Sequence, residues 1–521
     1  MRSLTGGIRT PAHGDARPPA AARPASASAS ARASASASAP VSASASASAS
    51  ASASASASVS ASVSASASAS VSASASGWAL AVFGAAWLGA AATAAAAVPD
   101  VYGLGSASAA RAGAAAATAS GFEALHYDPA GLADAPGPSV SLALHFHVSA
   151  LRAGGTSAPL GQPAGWALGA VAPVPLGGWL EGRVTAGVLF YFLPKDLLVV
   201  TLRAPTDAFF PLLADTGGRA VAEPGLAVRL WDGLSVGAAI DAFAGLDGFV
   251  TSTEGATRAI DASVLVVTPA AGSLHAGARW HLPWWTPLTL AFSYRSAFRL
   301  PVRFDADTNV GGFPIVLDIV AFPFYTPETY TLGAALATEG LTLSVDGAYK
   351  RWSRLDSPFV AVDARFVANI ALTGLPPSAD FTDTVDVRAG VEARFRAGGA
   401  PGRPAALVAV RAGYALEPTP VPPQTGATNL LDSTHHVATA GAGVTFPRAA
   451  AGRPLTVAFH AGVLALPART STKDPARPCA EGGVCDSDSA TAGFQSDNPG
   501  WPSLRAGGAV VFGGLTLEMG L

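Results

Sequence analysis

The sequence predicts an all-β protein, a transmembrane antiparallel β-barrel of about 14 strands, on three observations. First, only 13% of the 521 residues are charged although 50% are hydrophobic, whereas about a quarter are charged in ordinary soluble domains. Second, apolar and polar residues alternate along segments that begin at residue 139. Third, the connections between these segments are alternately long and short. Low charge without long apolar runs argues against a soluble enzyme and against a helical membrane bundle.

The chain begins with a low-complexity region, residues 1–76, which we do not expect to fold. From about Ala25 to Ser76 it consists almost entirely of Ala-Ser dipeptides. Their small side chains bury too little area to offset the entropy that is lost when the backbone becomes ordered.

Residues 77–97 predict a signal peptide, because an apolar stretch ends in the small residues Ala95-Ala96-Ala97, which are typical of a cleavage site. A single membrane anchor is the alternative, since the stretch is close to spanning length. The nearest basic residue, Arg32, lies far upstream, whereas a signal needs positive charge directly before its apolar region. We therefore expect a translation start inside the Ala-Ser tract, or an expanded repeat there.

The barrel, residues 139–521, is predicted from strands that have two unlike faces. Between Ser139 and Ser149, valine, leucine and phenylalanine alternate with serine, alanine and histidine. Since the polar face combines charges with very small residues, it suits a wet, crowded lumen, and the apolar face suits lipid. The segments with this pattern lie near 139–150, 164–173, 181–192, 222–231, 233–243, 272–281, 287–298, 328–337, 340–351, 384–396, 405–416, 435–446, 454–466 and 505–521.

The lengths of the connections favour a barrel over a soluble β-sandwich or a solenoid. Connections after odd-numbered strands are mostly long, and those after even-numbered strands are tight turns. A sandwich has no reason to separate its loops in this way, whereas outer-membrane barrels keep the long loops at one end. The long connections span 193–221, 244–271, 299–327, 352–383, 417–434 and 467–504.

Tryptophans cluster near the predicted strand ends, where they would suit the aromatic girdle of a membrane protein. Ordinary packing is the alternative for each of them. The residues are Trp179, Trp231, Trp280, Trp284, Trp285 and Trp352.

The segment before the first strand carries a family resemblance. Tyr127-Asp128-Pro129-Ala130-Gly131-Leu132 follows an arginine-glycine step at Arg111 and Gly113. Further on, Val410-Arg411-Ala412-Gly413-Tyr414 precedes a proline-rich run from Glu417 to Pro422. Together these segments resemble the FadL family, outer-membrane transporters of long-chain fatty acids and other hydrophobic compounds. Two features depart from the family pattern: Asp128 stands where asparagine is usual, and the chain ends in Met519-Gly520-Leu521 without a terminal aromatic residue.

The resemblance implies a fourteen-stranded barrel in the outer membrane of a Gram-negative cell, plugged by an N-terminal hatch at residues 98–138. It implies passive uptake of a long-chain fatty acid or another hydrophobic molecule by a monomer in contact with outer-membrane lipid. The substrate would enter an apolar pocket and leave sideways after the hatch rearranges. A structural or adhesive barrel without transport is the alternative. The hatch residues are expected to be Arg111, Gly113, Tyr127, Asp128, Pro129, Ala130 and Gly131.

Two long connections contain unusually apolar runs, which are candidates for substrate capture. Exposed apolar patches of this size mark binding sites or membrane contacts. Packing of these residues against each other, as a cap over the barrel, is equally compatible with the sequence. The candidates are Phe209, Phe210, Leu212, Leu213, Phe322, Phe324 and Tyr325.

A fatty-acid carboxylate would need a cation in the pocket. Six basic residues, Arg279, Arg295, Lys350, Arg388, Arg394 and Arg411, fall on the predicted lumen face, and four of them are taken as candidates. Most lumen arginines pair with acids such as Asp346, Asp386 and Glu392, so each is only a candidate. The four are Arg295, Lys350, Arg388 and Arg411.

Other site chemistry is sparse, so we expect neither an enzyme nor a cofactor. The pairs His145 with His147 and His275 with His281 share the lumen face, but without a third ligand they predict no metal site. No nucleophile elbow or phosphate-binding loop is found. The formal net charge of −3 gives no basic excess for a nucleic-acid partner.

The chain has only two cysteines, Cys479 and Cys485, which excludes a disulfide scaffold and a four-cysteine zinc module. Both lie in the last long connection. Because a cell-surface compartment is oxidising, a disulfide that closes a small loop is expected, and two free thiols are the alternative.

Overall fold

A computed structural model describes most of the chain from Val98 onward. The low-complexity region, the predicted signal peptide and both cysteines lie outside the described residues. The described ranges are 98–160, 164–192, 207–213, 221–231, 233–244, 246–254, 260–267, 270–310, 313–355, 361–366, 371–374, 380–399, 404–426, 428–449, 452–474 and 499–521.

Short helices open the described chain. They are α1 (Val98–Tyr102), α2 (Ser106–Ala109), α3 (Phe122–Tyr127) and a 3-10 helix (Pro129–Asp134). Two further 3-10 turns span Gly178–Leu180 and Trp352–Arg354. Among the described residues, no helix has the length and apolar character that crossing a membrane requires.

Twenty-one strands follow within the described ranges. They are β1 (Ser139–Ala153), β2 (Thr156–Ser157), β3 (Ala164–Pro173), β4 (Val184–Phe192), β5 (Val221–Trp231), β6 (Leu234–Ala244), β7 (Leu246–Glu254), β8 (Ile260–Val267), β9 (Ala270–His281), β10 (Leu288–Arg295), β11 (Phe298–Val310), β12 (Phe313–Thr326), β13 (Glu328–Ala337), β14 (Leu341–Arg351), β15 (Ala361–Phe366), β16 (Ala371–Gly374), β17 (Thr384–Ala397), β18 (Ala406–Glu417), β19 (His435–Phe446), β20 (Leu455–Thr472) and β21 (Ser503–Gly520).

Fourteen of these strands form a closed antiparallel barrel, in which β1 pairs with β3 on one side and with β21 on the other. The β1–β21 register runs from Ser139 opposite Gly520 to Ala153 opposite Ala506. The predicted fold class and strand number are therefore confirmed. The barrel order is β1-β21-β20-β19-β18-β17-β14-β13-β10-β9-β6-β5-β4-β3.

The two faces of β1 lie as the alternation predicts. On β1, Phe146 and Val148 are 56% and 70% exposed, whereas His145 and His147 between them are buried. A water-soluble protein would bury the phenylalanine and expose the histidines. This inverted arrangement places a polar surface in the lumen and an apolar surface outside, which matches a lipid bilayer as the surrounding medium.

Three of the long connections contain strands that the sequence analysis treats as loops, and this expectation was wrong. A second, six-stranded sheet has the order β16-β15-β12-β11-β7-β8, and its β7–β11 pair is parallel. Prolines at 301, 314 and 323 interrupt β11 and β12, and proline inside an apolar run is normally a sign against a strand. The β-sheet hydrogen bonds of β11 and β12 therefore form although the prolines in these segments argue against a strand.

The tryptophans separate into two groups. Trp179, Trp231 and Trp284 are largely exposed, and each lies at or beside a short turn, as do Trp280 and Trp285. This position fits a girdle at one rim of the barrel. Trp352 differs, because its ring packs near Tyr325 and Phe381 at centroid distances of 5.8 Å and 6.2 Å.

Residues 98–138, here called the inner segment, lie against the lumen side of the barrel. The short helix α2 contacts β19, β20 and β21, while the 3-10 helix contacts β4, β5, β6 and β9. Glycines make this close approach feasible: a side chain at Gly277 would overlap Asp128, and one at Gly237 would overlap the backbone of Pro129. The inner segment is thus packed between opposite parts of the wall.

Candidate ligand cavity

A cavity of about 240 Å³ lies between the inner segment and the long connections. On the same measure a water molecule needs only about 10–15 Å³, so the space accommodates an organic molecule. One wall, the roof, is apolar and belongs mainly to the long connections; the other, the floor, is charged and belongs to the lumen and the inner segment. The roof comprises Phe209, Pro211, Leu212, Leu213, Tyr325, Trp352, Leu355 and Phe381, and the floor comprises Asp100, Arg295, Asp346, Lys350, Asp386, Arg388, Glu417 and His435.

The roof is held in place by backbone hydrogen bonds between two long connections. The Phe209 carbonyl accepts from the Leu431 N–H at 2.8 Å, and the Phe209 N–H donates to the Asn429 carbonyl at 3.4 Å. Phe209, Phe210 and Leu213 are buried as a result. These three capture candidates thus belong to buried apolar clusters, and Phe209 and Leu213 also line the cavity.

The remaining capture candidates have different positions. Leu212 and Tyr325 are half-buried at the cavity, and the Tyr325 hydroxyl donates to the Arg351 carbonyl at 3.1 Å. The side chains of Phe322 and Phe324 lie outside the described residues. The structure thus brings candidates from two separate connections to one apolar wall.

Arg295 joins the barrel floor to the start of the inner segment. Its Nη1 lies 2.8 Å from Asp100 Oδ1, and its Nη2 donates to the His126 carbonyl at 2.8 Å. On the barrel side, its Nε lies 3.7 Å from Asp241 Oδ2. The Arg295 guanidinium therefore contacts the inner segment and, through Asp241, the neighbouring barrel strand β6.

The opposite part of the floor is a network of charged side chains from neighbouring strands. Lys350 Nζ lies 2.6 Å from Asp386 Oδ2. Arg388 Nη2 lies 2.8 Å from Glu417 Oε1 and 3.4 Å from Asp386 Oδ2. His435 Nδ1 in turn lies 3.7 Å from Glu417 Oε2. Each base of this network thus faces an acid of the protein.

Arg411, the fourth predicted carboxylate-binding residue, does not line the cavity. Its Nε donates to Glu392, which also bonds to Arg394. The structure therefore brings Arg295, Lys350 and Arg388 to one cavity and leaves Arg411 in a separate ion-pair cluster.

Asp346 lies on the floor without a salt bridge among the described residues. Its Oδ2 accepts from the backbone N–H groups of Ala115 and Ala116 at 2.7 Å and 2.9 Å. Its Oδ1 is buried and has no hydrogen-bond partner. This carboxylate therefore binds the middle of the inner segment through Oδ2, and its other oxygen, Oδ1, has an unused capacity to accept a hydrogen bond.

Arg279 of β9 binds the inner segment away from the cavity. Its Nη1 and Nη2 donate to the carbonyls of Ala119 and Ala116, both at 2.6 Å. The same guanidinium lies 3.0 Å from Asp134 and 3.3 Å from Asp128. One side chain thus ties together three parts of the inner segment.

The predicted Asp-Pro-Ala-Gly box lies at this anchor. Asp128 Oδ1 accepts from the Ala130 N–H at 3.0 Å and caps the 3-10 helix that begins at Pro129, as N-terminal caps do. Gly131 is required because a Cβ there would overlap the Ala119 carbonyl and Arg279. Burial raises the pKa of Asp128 to about 6, although Arg279 opposes the shift.

The other predicted hatch residues also lie in close contacts. Arg111 is buried and fits against Gly413, where a side chain would overlap the Arg111 backbone. Gly113 has φ +73°, a conformation that favours glycine. The Tyr127 hydroxyl accepts from the Leu104 N–H at 2.9 Å. All seven predicted residues thus lie in the packed inner segment.

The lumen histidines do not form a metal centre in the part of the chain that the structure describes, where no group of three or more potential ligands is close enough. His275 bonds to a backbone carbonyl of the inner segment at 2.8 Å. His281 Nε2 lies 3.1 Å from Asp134 Oδ2. Neither ring nitrogen of His145 has a hydrogen-bond partner, and His147 is buried beside it on β1.

Sequence reasoning missed three floor residues: Asp100, Glu417 and His435. Asp100 lies directly after the predicted cleavage site, so nothing in the local pattern connects it to Arg295. Glu417 and His435 stand at the ends of β18 and β19, on either side of a long connection. Their position at predicted strand ends facing the loops is a signal that could have identified them.

No protein-family model and no curated protein matches the chain. Solved structures similar to it include a Pseudomonas aeruginosa FadL homologue, with 13% identity, 80% of this chain and 96% of the other covered, and a TM-score of 0.47. The P. putida toluene transporter TodX matches at 15% identity, covering 81% and 99%, with a TM-score of 0.48. The Ralstonia pickettii toluene transporter TbuX matches at 17% identity, covering 81% and 99%, with a TM-score of 0.44.

Proposed function

We propose that the protein is an outer-membrane transporter that takes up small hydrophobic molecules, such as long-chain fatty acids or aromatic hydrocarbons, without an energy source. The observation that carries this proposal is the cavity between an apolar roof at the loop end and the inner segment. An apolar molecule leaves water for such a wall because removal of its surface from water contributes about 25 cal/mol per Å². A closed barrel with an apolar exterior then offers a route across the outer membrane.

The inner segment acts as the hatch in this proposal. Its contacts with strands on opposite sides of the barrel support this role. Its first helix, α1, forms part of the cavity wall through Asp100, Val101 and Tyr102. A ligand in the cavity therefore touches the element that has to move before transport can proceed.

An uptake assay tests the proposal directly. The chain from Val98 is expressed behind a standard signal in a Gram-negative host that lacks its own fatty-acid importer. We expect uptake of labelled oleate or labelled toluene above the empty-vector control, with a heat-shifted gel band that shows a folded barrel. A folded barrel that takes up neither compound, and does not take up a labelled long-chain alcohol such as dodecanol either, would contradict transport and favour the structural or adhesive alternative.

A disulfide lock tests the role of the inner segment. The hydroxyls of Ser106 and Thr516 lie 3.1 Å apart, so Ser106→Cys with Thr516→Cys can link the inner segment to β21. Cys479→Ser and Cys485→Ser prevent mispairing. We expect the oxidised protein to lose uptake and the reduced protein to regain it. Equal uptake in both forms would show that this part of the segment does not move during transport.

A further inference from the structure

We infer that the cavity selects an uncharged hydrophobic molecule that carries a hydroxyl group and disfavours the carboxylate of a dissociated fatty acid. This inference rests on the proposed function, since it names the substrate class of the same cavity. Three features of the floor support it: its bases are already paired, its acids are in excess, and some of its polar atoms have no partner.

The bases of the floor are occupied by acids of the protein. Arg295 is bonded to Asp100 at 2.8 Å, and Lys350 to Asp386 at 2.6 Å. Arg388 is bonded to Glu417 at 2.8 Å. A carboxylate ligand would have to displace one of these acids. Asp386 is almost completely buried, so the displaced charge could not reach water, and an unpaired buried charge is strongly unfavourable.

Counted together with Asp241 and Asp432, which pair with floor bases from outside the cavity lining, the acids around the floor outnumber the bases. Asp346 adds a fourth carboxylate to the three paired ones. His435 is a further base, but it is bonded to Asp432 at 2.8 Å, which is a further acid. Because like charges repel across a poorly solvated cavity, this excess disfavours an anionic head group. An uncharged molecule meets no such repulsion and still gains the apolar roof.

Unpartnered polar atoms specify what an uncharged ligand should carry. Asp346 Oδ1, Thr384 Oγ1 and Arg388 Nε belong to cavity-lining residues, and these atoms are buried without a hydrogen-bond partner. Buried polar atoms are normally satisfied. A hydroxyl can donate to Asp346 and accept from Arg388 or Thr384, whereas a carboxylate cannot donate and a hydrocarbon can do neither.

The test compares three ligands with the same twelve-carbon chain, about the length of a medium fatty acyl group: dodecanol, dodecanoate at pH 8 and dodecane. Binding to the full barrel in lipid nanodiscs is measured with radiolabelled ligands. We expect dodecanol to bind at least about tenfold more tightly than dodecanoate, a difference of about 1.4 kcal/mol, and more tightly than dodecane. Equal or tighter binding of dodecanoate, or no binding of any of the three, would overturn the inference.

Asp346→Asn tests the floor itself. Asparagine keeps one acceptor for the Ala115 and Ala116 N–H groups but removes the charge and the free acceptor. We expect the preference for dodecanol over dodecanoate to fall at least about tenfold, or about 1.4 kcal/mol. The matched control is Glu181→Gln, which removes one negative charge at an exposed turn residue and should leave the preference unchanged. An unchanged preference in Asp346→Asn would contradict the inference.

A second variant covers the case in which Asp346→Asn does not fold. Asp386→Asn removes the acid that lies 2.6 Å from Lys350, while Arg388 keeps its partner Glu417, so dodecanoate binding should become tighter while dodecanol binding changes little. A heat-shifted gel band establishes folding for each variant. Binding in nanodiscs and uptake in cells are separate readouts: tight dodecanol binding without uptake of any compound would reject transport, whereas uptake with a preference for dodecanoate would reject only the substrate class.

Discussion

Two arginines on adjacent strands hold the inner segment in different ways. The Arg279 side chain is 1% exposed, and it bonds two backbone carbonyls and two carboxylates of the segment. The Arg295 side chain is 12% exposed, and its partner Asp100 is 29% exposed beside the cavity. Arg295 also bonds the His126 carbonyl, but the contacts of Arg279, at residues 116, 119, 128 and 134, are the more deeply buried ones. The comparison indicates that this part of the inner segment is held more firmly than its start at α1.

This difference predicts which part of the inner segment opens most readily. Regions that open most readily have fewer buried contacts and more accessible hydrogen bonds. Because α1 meets the cavity and is held by a partly exposed pair, it can shift without disturbing the Arg279 anchor. The hatch movement that we propose therefore begins at residues 98–102.

Arg279→Met should lower the free energy of unfolding more than any other change to the two arginines or their partners. It leaves Asp128, Asp134 and two buried carbonyls without their common donor, and loss of one partner from a buried charge network costs about 3–5 kcal/mol. We expect that loss in the free energy of unfolding, measured by urea titration in lipid vesicles. Arg279→Lys is the control, because it keeps the charge but not the planar guanidinium. Its free energy of unfolding should lie between those of the wild type and Arg279→Met. Wild-type stability in Arg279→Met would contradict the fixed anchor.

Arg295→Met should have a smaller and more local effect. Water reaches Asp100, and the buried Asp241 lies 3.7 Å from the guanidinium, beyond hydrogen-bond distance. We therefore expect a stability loss of about 1.5–3 kcal/mol, the range for a lost hydrogen bond to a charged group. Hydrogen exchange should become faster at residues 98–105 and remain unchanged at 129–134. Equal acceleration in both regions would show that the two ends of the inner segment open together.

The barrel strands could be predicted from sequence because alternation is a local property. Each strand shows its two faces in about ten residues, whatever its neighbours are. The six-stranded sheet could not be predicted in this way. Prolines 301, 314 and 323 argue against a strand in β11 and β12, and the parallel β7–β11 pair joins segments that are distant in the sequence.

The candidate site was only partly predictable for a related reason. Alternation places Arg295, Lys350 and Arg388 in the lumen, and the resemblance singles out the Asp128 box. Their partners depend on which strands are adjacent and on the path of the inner segment. Asp100 reaches Arg295 only because the chain crosses the lumen, and no local pattern encodes that path.

The dependence of stability on the ionisation of Asp128 tests the part of the inner segment that Arg279 holds. Its pKa is raised to about 6 by burial, above the usual value of about 3.9 in an unfolded chain. The folded state therefore holds the proton more tightly, and this stabilisation is lost as the pH rises through 6. Between pH 5 and 7, we expect wild-type stability to fall by about 1 kcal/mol relative to Asp128→Asn. Parallel pH profiles of the two proteins in urea titrations would contradict the raised pKa.

Asp134→Asn should have the smallest effect. Asparagine can still accept from Arg279, and the two carbonyl bonds and Asp128 remain in place. We expect a change of less than about 1 kcal/mol in the same urea titration. A loss as large as that of Arg279→Met would show that the carboxylate, and not the carbonyl pair, carries the anchor.

The pairing of β1 with β21, which closes the barrel, implies an order of assembly. β1 follows the inner segment directly along the chain, and it pairs with β21 at the far end of the sequence. The wall therefore cannot close until the last strand has been made, and contacts between such distant segments form slowly. We expect the inner segment to be in place before β1 and β21 pair, because afterwards a ring of strands surrounds it. In the transport that we propose, any opening movement of the inner segment is therefore a step that follows assembly.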